Sequence, residues 1–309
     1  MNPYLVRNLF GIAGLDIHWY AVIMCLGIIG GLGIGIVLAK KRGYTIDLPT
    51  DILLWCIPIC IIGARLYYVI FEWEAYKGDF LKIFAVWEGG LAIYGAVIAA
   101  FITCYFFAKK TGVSFGGIID IGAPGLILGQ AIGRWGNFVN QEAFGALITN
   151  PSMQWFPYGV YIERLGEWHQ ATFFYESMWN LLVFAFLLWY FKRAKRKGDV
   201  GVMYLLLYGI GRAFIEGLRT DSLWLIPGVI RVSQLLSILL ILAAVFYFII
   251  MRKKPIPAYS YHGKYAIGYE EEATEEAQEI NFEKEIQEET TPEKKDKIKS
   301  TETEEEKKL

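Results

Sequence analysis

The sequence predicts an all-α integral membrane protein with seven transmembrane helices, an extracytoplasmic cap and a disordered C-terminal tail. Three observations carry that prediction. The 309-residue chain is 55% hydrophobic, and its mean hydropathy is +0.36 even though the last stretch of the chain is strongly polar. Several of its apolar runs reach the ~18 residues that a bilayer-spanning helix requires. Basic residues recur at every second connection between those runs.

The candidate spans are residues 17–39, 51–71, 89–108, 116–133, 173–191, 200–218 and 232–251. Helices are expected because lipid offers a backbone no hydrogen-bond partner, and the alternating pattern of barrel strands is absent. No internal repeat is evident. Residues 1–16 lack the basic region, short apolar region and small-residue cleavage site of a removable signal, so the first run is expected to stay as an anchor. Its glycines Gly27, Gly30, Gly31, Gly33 and Gly35 suggest close helix packing.

Lys40, Lys41 and Arg42 follow the first span, and Lys109 and Lys110 the third. Lys192, Arg193, Lys195, Arg196 and Lys197 follow the fifth, and Arg252, Lys253 and Lys254 the seventh. Loops rich in Lys and Arg stay cytoplasmic, so the N-terminus is expected outside and the C-terminus inside the cell membrane. The longest connection, residues 134–172, then lies outside. Its Asn150-Pro151, Pro157 and aromatics suggest a folded cap. Residues 1–254 would form the membrane domain. Residues 255–309, dominated by Glu and Lys from about Tyr269, would form a disordered cytoplasmic tail that cannot bury enough apolar surface to offset chain entropy. Cys25, Cys56, Cys60 and Cys104 fall inside apolar runs with no CxxC pair, and read as small core residues. No metal, organic cofactor or nucleic-acid partner is expected.

The second, fourth and sixth spans run outward, which brings Arg65, Arg134 and Arg212 to the outer half of the bundle. Arg212, Glu216 and Arg219 are spaced to share one helix face, and Arg231 begins the seventh span on the same side. Five arginines therefore gather at the outer leaflet, against the positive-inside trend. Each costs roughly 2.5 to 3.5 kcal/mol at a helix centre, so each needs a partner or a purpose. The planar guanidinium fork suits phosphate, and the head group of an anionic phospholipid is the natural ligand. The structural alternative is that the arginines pair with Glu142, Glu176 and Glu216 to hold the bundle together.

At the end of the fourth span the chain reads Gly133-Arg134-Trp135-Gly136-Asn137-Phe138-Val139-Asn140-Gln141-Glu142-Ala143-Phe144-Gly145. Glycine allows close backbone approach, arginine supplies fixed charge, asparagine donates and accepts, and glutamate takes a proton or holds an arginine. This segment resembles the signature of the bacterial prolipoprotein diacylglyceryl transferases, G-R-x-G-N-F-x-N-x-E followed by an aromatic and Gly. Further resemblance extends from residue 17 to about 240. It includes His18-Trp19-Tyr20, Gly63-Ala64-Arg65, Trp87-Glu88-Gly89-Gly90 with Tyr94-Gly95, Asp120 with Ala123-Pro124, Tyr175-Glu176 and Arg212-Ala213-Phe214-Ile215-Glu216. Two departures stand out. Tyr94 occupies the place where many members have histidine, and the family's H-P-S/T is Gln170-Ala171-Thr172 here, with His169 one place earlier.

The resemblance implies transfer of the diacylglyceryl group of phosphatidylglycerol, a membrane lipid, to the lipobox cysteine of a prolipoprotein signal peptide. It also implies site residues. Arg134 and Arg212 would hold the phosphate, with Arg65 beside them. Asn137 and Tyr20 would orient the head group. Glu142 and Glu216 would position the arginines, or one of them would take the thiol proton. Gly145 would serve close packing or substrate approach, His18 would anchor head groups at the interface, and Tyr94 would contribute to binding but not as a base. A transporter, with its charges along a substrate pathway, and a scaffold acting through the acidic tail are the rival readings.

Overall fold

The computed structural model describes residues 2–12, 14, 16–220, 224–226, 229–255 and 263–268. Among the described residues seven helices are long and apolar enough to cross a membrane: α1 (Trp19–Lys41), α2 (Asp47–Phe71), α4 (Ile93–Thr111), α5 (Phe115–Asn140), α6 (Thr172–Phe191), α7 (Asp199–Leu218) and α8 (Val232–Arg252), with a single-turn helix α3 (Trp73–Tyr76) after α2. Each expected span has its helix. The largest departure is at α5, which runs seven residues past the expected end at 133, so the signature segment begins on a helix and not in the cap.

Three small antiparallel hairpins decorate one end: β1 (Tyr4–Val6) with β2 (Ile17–His18), β3 (Gly159–Ile162) with β4 (Glu167–Gln170), and β5 (Trp224–Ile226) with β6 (Ile230–Arg231). The β3–β4 hairpin forms the cap over α5 and α6. Its His169 Nδ1 donates to the Gly145 carbonyl at 2.9 Å, and the Gly145 amide donates to Gln170 O at 2.9 Å.

Helix α5 is the hub, packed against α1, α4, α6 and α7. Backbones touch where α1 crosses it. A Cβ added to Gly31 would fall 2.8 Å from the Gly125 carbonyl oxygen, and one added to Gly125 would fall 2.4 Å from that of Gly31. Small residues allow this approach where no hydrophobic force drives helices together in lipid. Gly27 is likewise pressed against Gly129, whereas Gly33 has open space around it, so the glycine series is a packing seam for part of its length. Side chains tie α6 in: Ser177 Oγ donates to Ala131 O of α5 at 2.9 Å, and Trp179 Nε1 to Leu207 O of α7 at 3.0 Å. At the far end Asp120, buried in α5, accepts from the amides of Gly198 (2.7 Å), Val200 (2.9 Å) and Gly201 (3.0 Å), satisfying the start of α7.

The basic ends lie together on the face opposite the cap. Arg42 Nη2 donates to Phe191 O at 2.8 Å, and Arg196 reaches the Lys254 carbonyl. Cys25 is exposed, and Cys56, Cys60 and Cys104 are partly buried; all four are free. They are thus less enclosed than core residues, because an apolar helix face turned to lipid accommodates a thiol as readily as the core does.

One part of the stretch expected to be a disordered tail is docked. Residues 263–268 strap two loops of the basic face: Lys264 N donates to Thr111 O, Ile267 N to Gly43 O, and Tyr265 O accepts from Thr45 N, each at 2.9 Å. Tyr265 is 7% exposed, stacks on Phe107 at 5.7 Å and donates to Asp51. Burial first, and then the Asp51 carboxylate, push its phenol up to about 12, so it remains a neutral donor at neutral pH. The rest of the tail, 256–262 and 269–309, lies outside the described residues. A chain ending at residue 268 keeps the strap, and one ending at 262 removes it. The shorter chain loses a buried aromatic worth roughly 3 kcal/mol and should unfold several degrees lower than the longer. Equal midpoints for the two truncations in one detergent would refute the strap.

Candidate active site

The continuation of α5 through the signature determines the local geometry. Arg134 and Asn137 lie three residues apart on one face, and Arg134 Nη1 donates to Asn137 Oδ1 at 3.2 Å. Between them Gly136 admits the Tyr20 ring of α1; a Cβ there would sit 2.6 Å from Tyr20 Cδ2. The helix ends at Gln141 (φ 52°), and Ala143 is also left-handed (φ 55°), a conformation that costs a non-glycine residue energy and that surrounding contacts must enforce. The reversal folds Glu142 back. Its amide donates to Asn137 O at 3.0 Å, and its Oε1 accepts from Asn137 Nδ2 at 2.9 Å and Asn140 Nδ2 at 3.4 Å.

Helices α6 and α7 complete the cluster. Glu176, in the second turn of α6, places Oε1 2.6 Å from Arg134 Nη2 and Oε2 3.3 Å from Arg212 Nη1. Arg212 Nη2 lies 2.6 Å from Glu216 Oε2, one turn along α7. Glu176 and Glu216 are 3% and 2% exposed, while the two arginine side chains keep 21% and 15%. The carboxylates thus lie enclosed at the floor of the cluster, and the arginine side chains stay partly exposed. Arg134 and Arg212 each lie six residues from the end of their helix, roughly 9 Å below it at 1.5 Å per residue. At such depth charges are held by pairing, and two arginines against two buried glutamates leave the floor close to neutral.

Of the residues expected from the sequence, Arg134, Asn137, Glu142, Arg212 and Glu216 form one connected chain of contacts, with Tyr20 packed beside it. Gly145 lies under the cap: a Cβ there would fall 2.8 Å from Gln170 Cβ and 2.9 Å from Thr172 Cγ2. It also pairs across the backbone with Arg219. Arg65 is elsewhere. Buried in α2, it donates from Nε to Ile83 O (2.9 Å), from Nη1 to Gly89 O (2.7 Å) and Gly90 O (3.2 Å), and from Nη2 to Lys82 O. All its nitrogens serve the loop after α3, so it is engaged as a clamp on that loop and not with the other arginines. Arg231 lies over the Trp224 ring at 4.8 Å. Of the five arginines expected to gather, Arg134 and Arg212 meet on Glu176, while Arg65 is engaged by the loop after α3. His18 is exposed with its ring tilted against Tyr4 at 4.6 Å, whereas Tyr94, 6.2 Å from Tyr67, lies near the phenol of Tyr208, which also feels the charges of Glu176, Arg212 and Arg134. The residue that sequence reasoning left out of the site is Glu176, the link between the arginines. The sequence names it only as a structural partner for the arginines and in the Tyr175-Glu176 resemblance.

A bundle of apolar helices with this polar cluster inside one end defines a multi-pass membrane protein. The family profile described as prolipoprotein diacylglyceryl transferase matches residues 7–250. Relatives named phosphatidylglycerol–prolipoprotein diacylglyceryl transferase are similar over most of their length. That of Finegoldia magna is 46% identical over 251 residues, 81% of this chain and 97% of its own. That of Oceanobacillus iheyensis is 46% identical over 252 residues, 79% and 87%, and that of Clostridium botulinum 44% over 258 residues, 82% and 98%. The chain belongs to the prolipoprotein diacylglyceryl transferase family, a family of transferases.

Proposed function

We propose that this chain transfers the diacylglyceryl group of phosphatidylglycerol to the lipobox cysteine of a prolipoprotein signal peptide, the first step of lipoprotein maturation. The cysteine sulfur attacks the glyceryl carbon that bears the phosphate. A carbon–sulfur bond forms, the carbon–oxygen bond to phosphate breaks, and glycerol phosphate departs with the bonding pair. The observation that carries this reading is the pair Arg134 and Arg212, brought from two helices onto one Glu176 and both still partly exposed. Fixed donors in a site of low dielectric stabilise charge that grows on a leaving phosphate, because they need no reorganisation as it grows.

The thiol, with an ordinary pKa near 8.5, must also lose its proton. Glu176 and Glu216 are engaged by arginines. Glu142 is exposed, and among the described residues only its Oε1 has hydrogen-bond partners, Asn137 and Asn140. Glu142 therefore accepts the proton, and Asn137 orients it. Tyr20 and Gly136 shape the wall beside the head group, and Gly145 keeps the cap close.

The protein sits in the cell membrane with its N-terminus outside and its C-terminus in the cytoplasm. Supporting this are the four basic helix ends on one face and the site at the other, where exported precursors emerge. The test mixes purified protein with phosphatidylglycerol labelled in its acyl chains and a lipobox peptide. Label should move to the peptide, and not to one whose cysteine is serine. Transfer to the serine peptide, or none to either, removes the reading.

A further inference from the structure

A second feature with lipid chemistry lies at the opposite end of the bundle. Helices α1 and α6 both lean on α5 without packing along each other. Where their C-terminal ends come closest, a cavity of about 340 Å3 opens, lined by Leu38, Lys41, Leu188, Trp189, Phe191, Lys192 and Arg193. Leu38 and Phe191 are buried and form its floor. Arg42 fastens that floor from behind, donating to Phe191 O at 2.8 Å with its guanidinium 4.3 Å from the Phe191 ring. Trp189 is half exposed on one wall, and Arg193 lies over it at 4.2 Å. Lys41 and Lys192 are exposed at the rim from opposite helices, and among the described residues no carboxylate pairs with either.

We infer that this cavity binds the phosphate head group of an anionic phospholipid from the leaflet that surrounds the basic end of the bundle. The composition is amphipathic in the way a lipid is: aliphatic and aromatic walls below, three cations and no acid above. Basic pockets between transmembrane helices recognise anionic head groups for this reason, and tryptophan settles at the same depth. A soluble anion would use the cations and leave the apolar walls idle, whereas a lipid uses both. The acidic C-terminal tail could supply charge but few apolar groups. The site is separate from the Arg134–Glu176–Arg212 cluster, which is built on α5, α7 and the opposite end of α6, so the inference rests on membrane placement and not on the transfer reaction.

The test is capture at the cavity itself. A photo-reactive benzoylphenylalanine replaces Leu188 in the full chain, reconstituted in phosphatidylcholine vesicles that carry a trace of radiolabelled phosphatidylglycerol or, in parallel, radiolabelled phosphatidylcholine. Phosphatidylglycerol should be captured well above its share of the lipid. The preference should fall about fivefold for each cation removed, hence about 25-fold in Lys41→Gln/Lys192→Gln, and should persist in Lys41→Arg/Lys192→Arg, which also shows that the double change leaves the fold intact. Four results overturn the inference: capture of both lipids in proportion to their amounts, an unchanged preference in the glutamine pair, crosslinks to the acidic tail in place of lipid, or displacement of the lipid by millimolar inorganic phosphate. Because the readout is capture and not transfer, an inactive enzyme leaves it unaffected, and a failed capture leaves the assigned activity untouched.

Discussion

Arg134→Ala and Arg212→Ala should each lower diacylglyceryl transfer by at least about 10²- to 10³-fold, the loss observed when one preorganised donor to a developing anion is removed. The reason is geometric. In the proposed reaction Arg134 and Arg212, both tethered to Glu176 and both partly exposed, grip the phosphate together, so removing either leaves the departing oxygens held from one side. Lysine at either position should restore little, since a point charge cannot hold Glu176 and phosphate with the same planar fork. Rates measured with labelled phosphatidylglycerol and a lipobox peptide decide it: a twofold effect in protein that still inserts and unfolds like the parent would dismiss the phosphate role. Arg65→Ala is the contrast. It releases the carbonyls of Lys82, Ile83, Gly89 and Gly90, so its loss should appear first as lowered thermal stability.

Glu176→Gln should have the second-largest effect, and it separates the two things the carboxylate does. Glutamine keeps the shape but removes the charge shared by two arginines, and breaking a buried pair by changing one partner costs about 3–5 kcal/mol. Both guanidiniums then lose their shared tether, Arg212 keeping Glu216 and Arg134 keeping Asn137. Freed donors can bind phosphate at least as well, so KM should stay level or fall. The chemical step, sensitive to displacements of about 1 Å, should slow by about 10²-fold. A rise in KM with kcat unchanged would mean that Glu176 contacts the lipid directly and does not position the arginines.

Much of the protein is legible in its sequence. Hydropathy found seven spans because lipid imposes a minimum apolar length, and the basic connections found which ends share a face. The pair Arg212–Glu216 was legible too, since residues four apart meet on any helix. The end of α5 was misread. Arg134, Asn137 and Asn140 look like a loop by composition, yet the helix persists because Tyr20 packs on Gly136 and Glu176 meets Arg134, contacts that no local pattern contains. The strap at residues 263–268 was hidden in the same way: a Tyr in a polar stretch signals nothing until Phe107 and Asp51 stand beside it.

The sequence by itself determined the number of helices, their alternation across the bilayer and the residue types gathered near one end. Only the tertiary structure decided which of those residues meet. A helix specifies where a side chain points around its own axis, whereas the neighbour it finds depends on which helices pack together. Here the adjacency of α5, α6 and α7 joined Arg134 and Arg212 through Glu176, and the loop packed against α2 took Arg65 away from them.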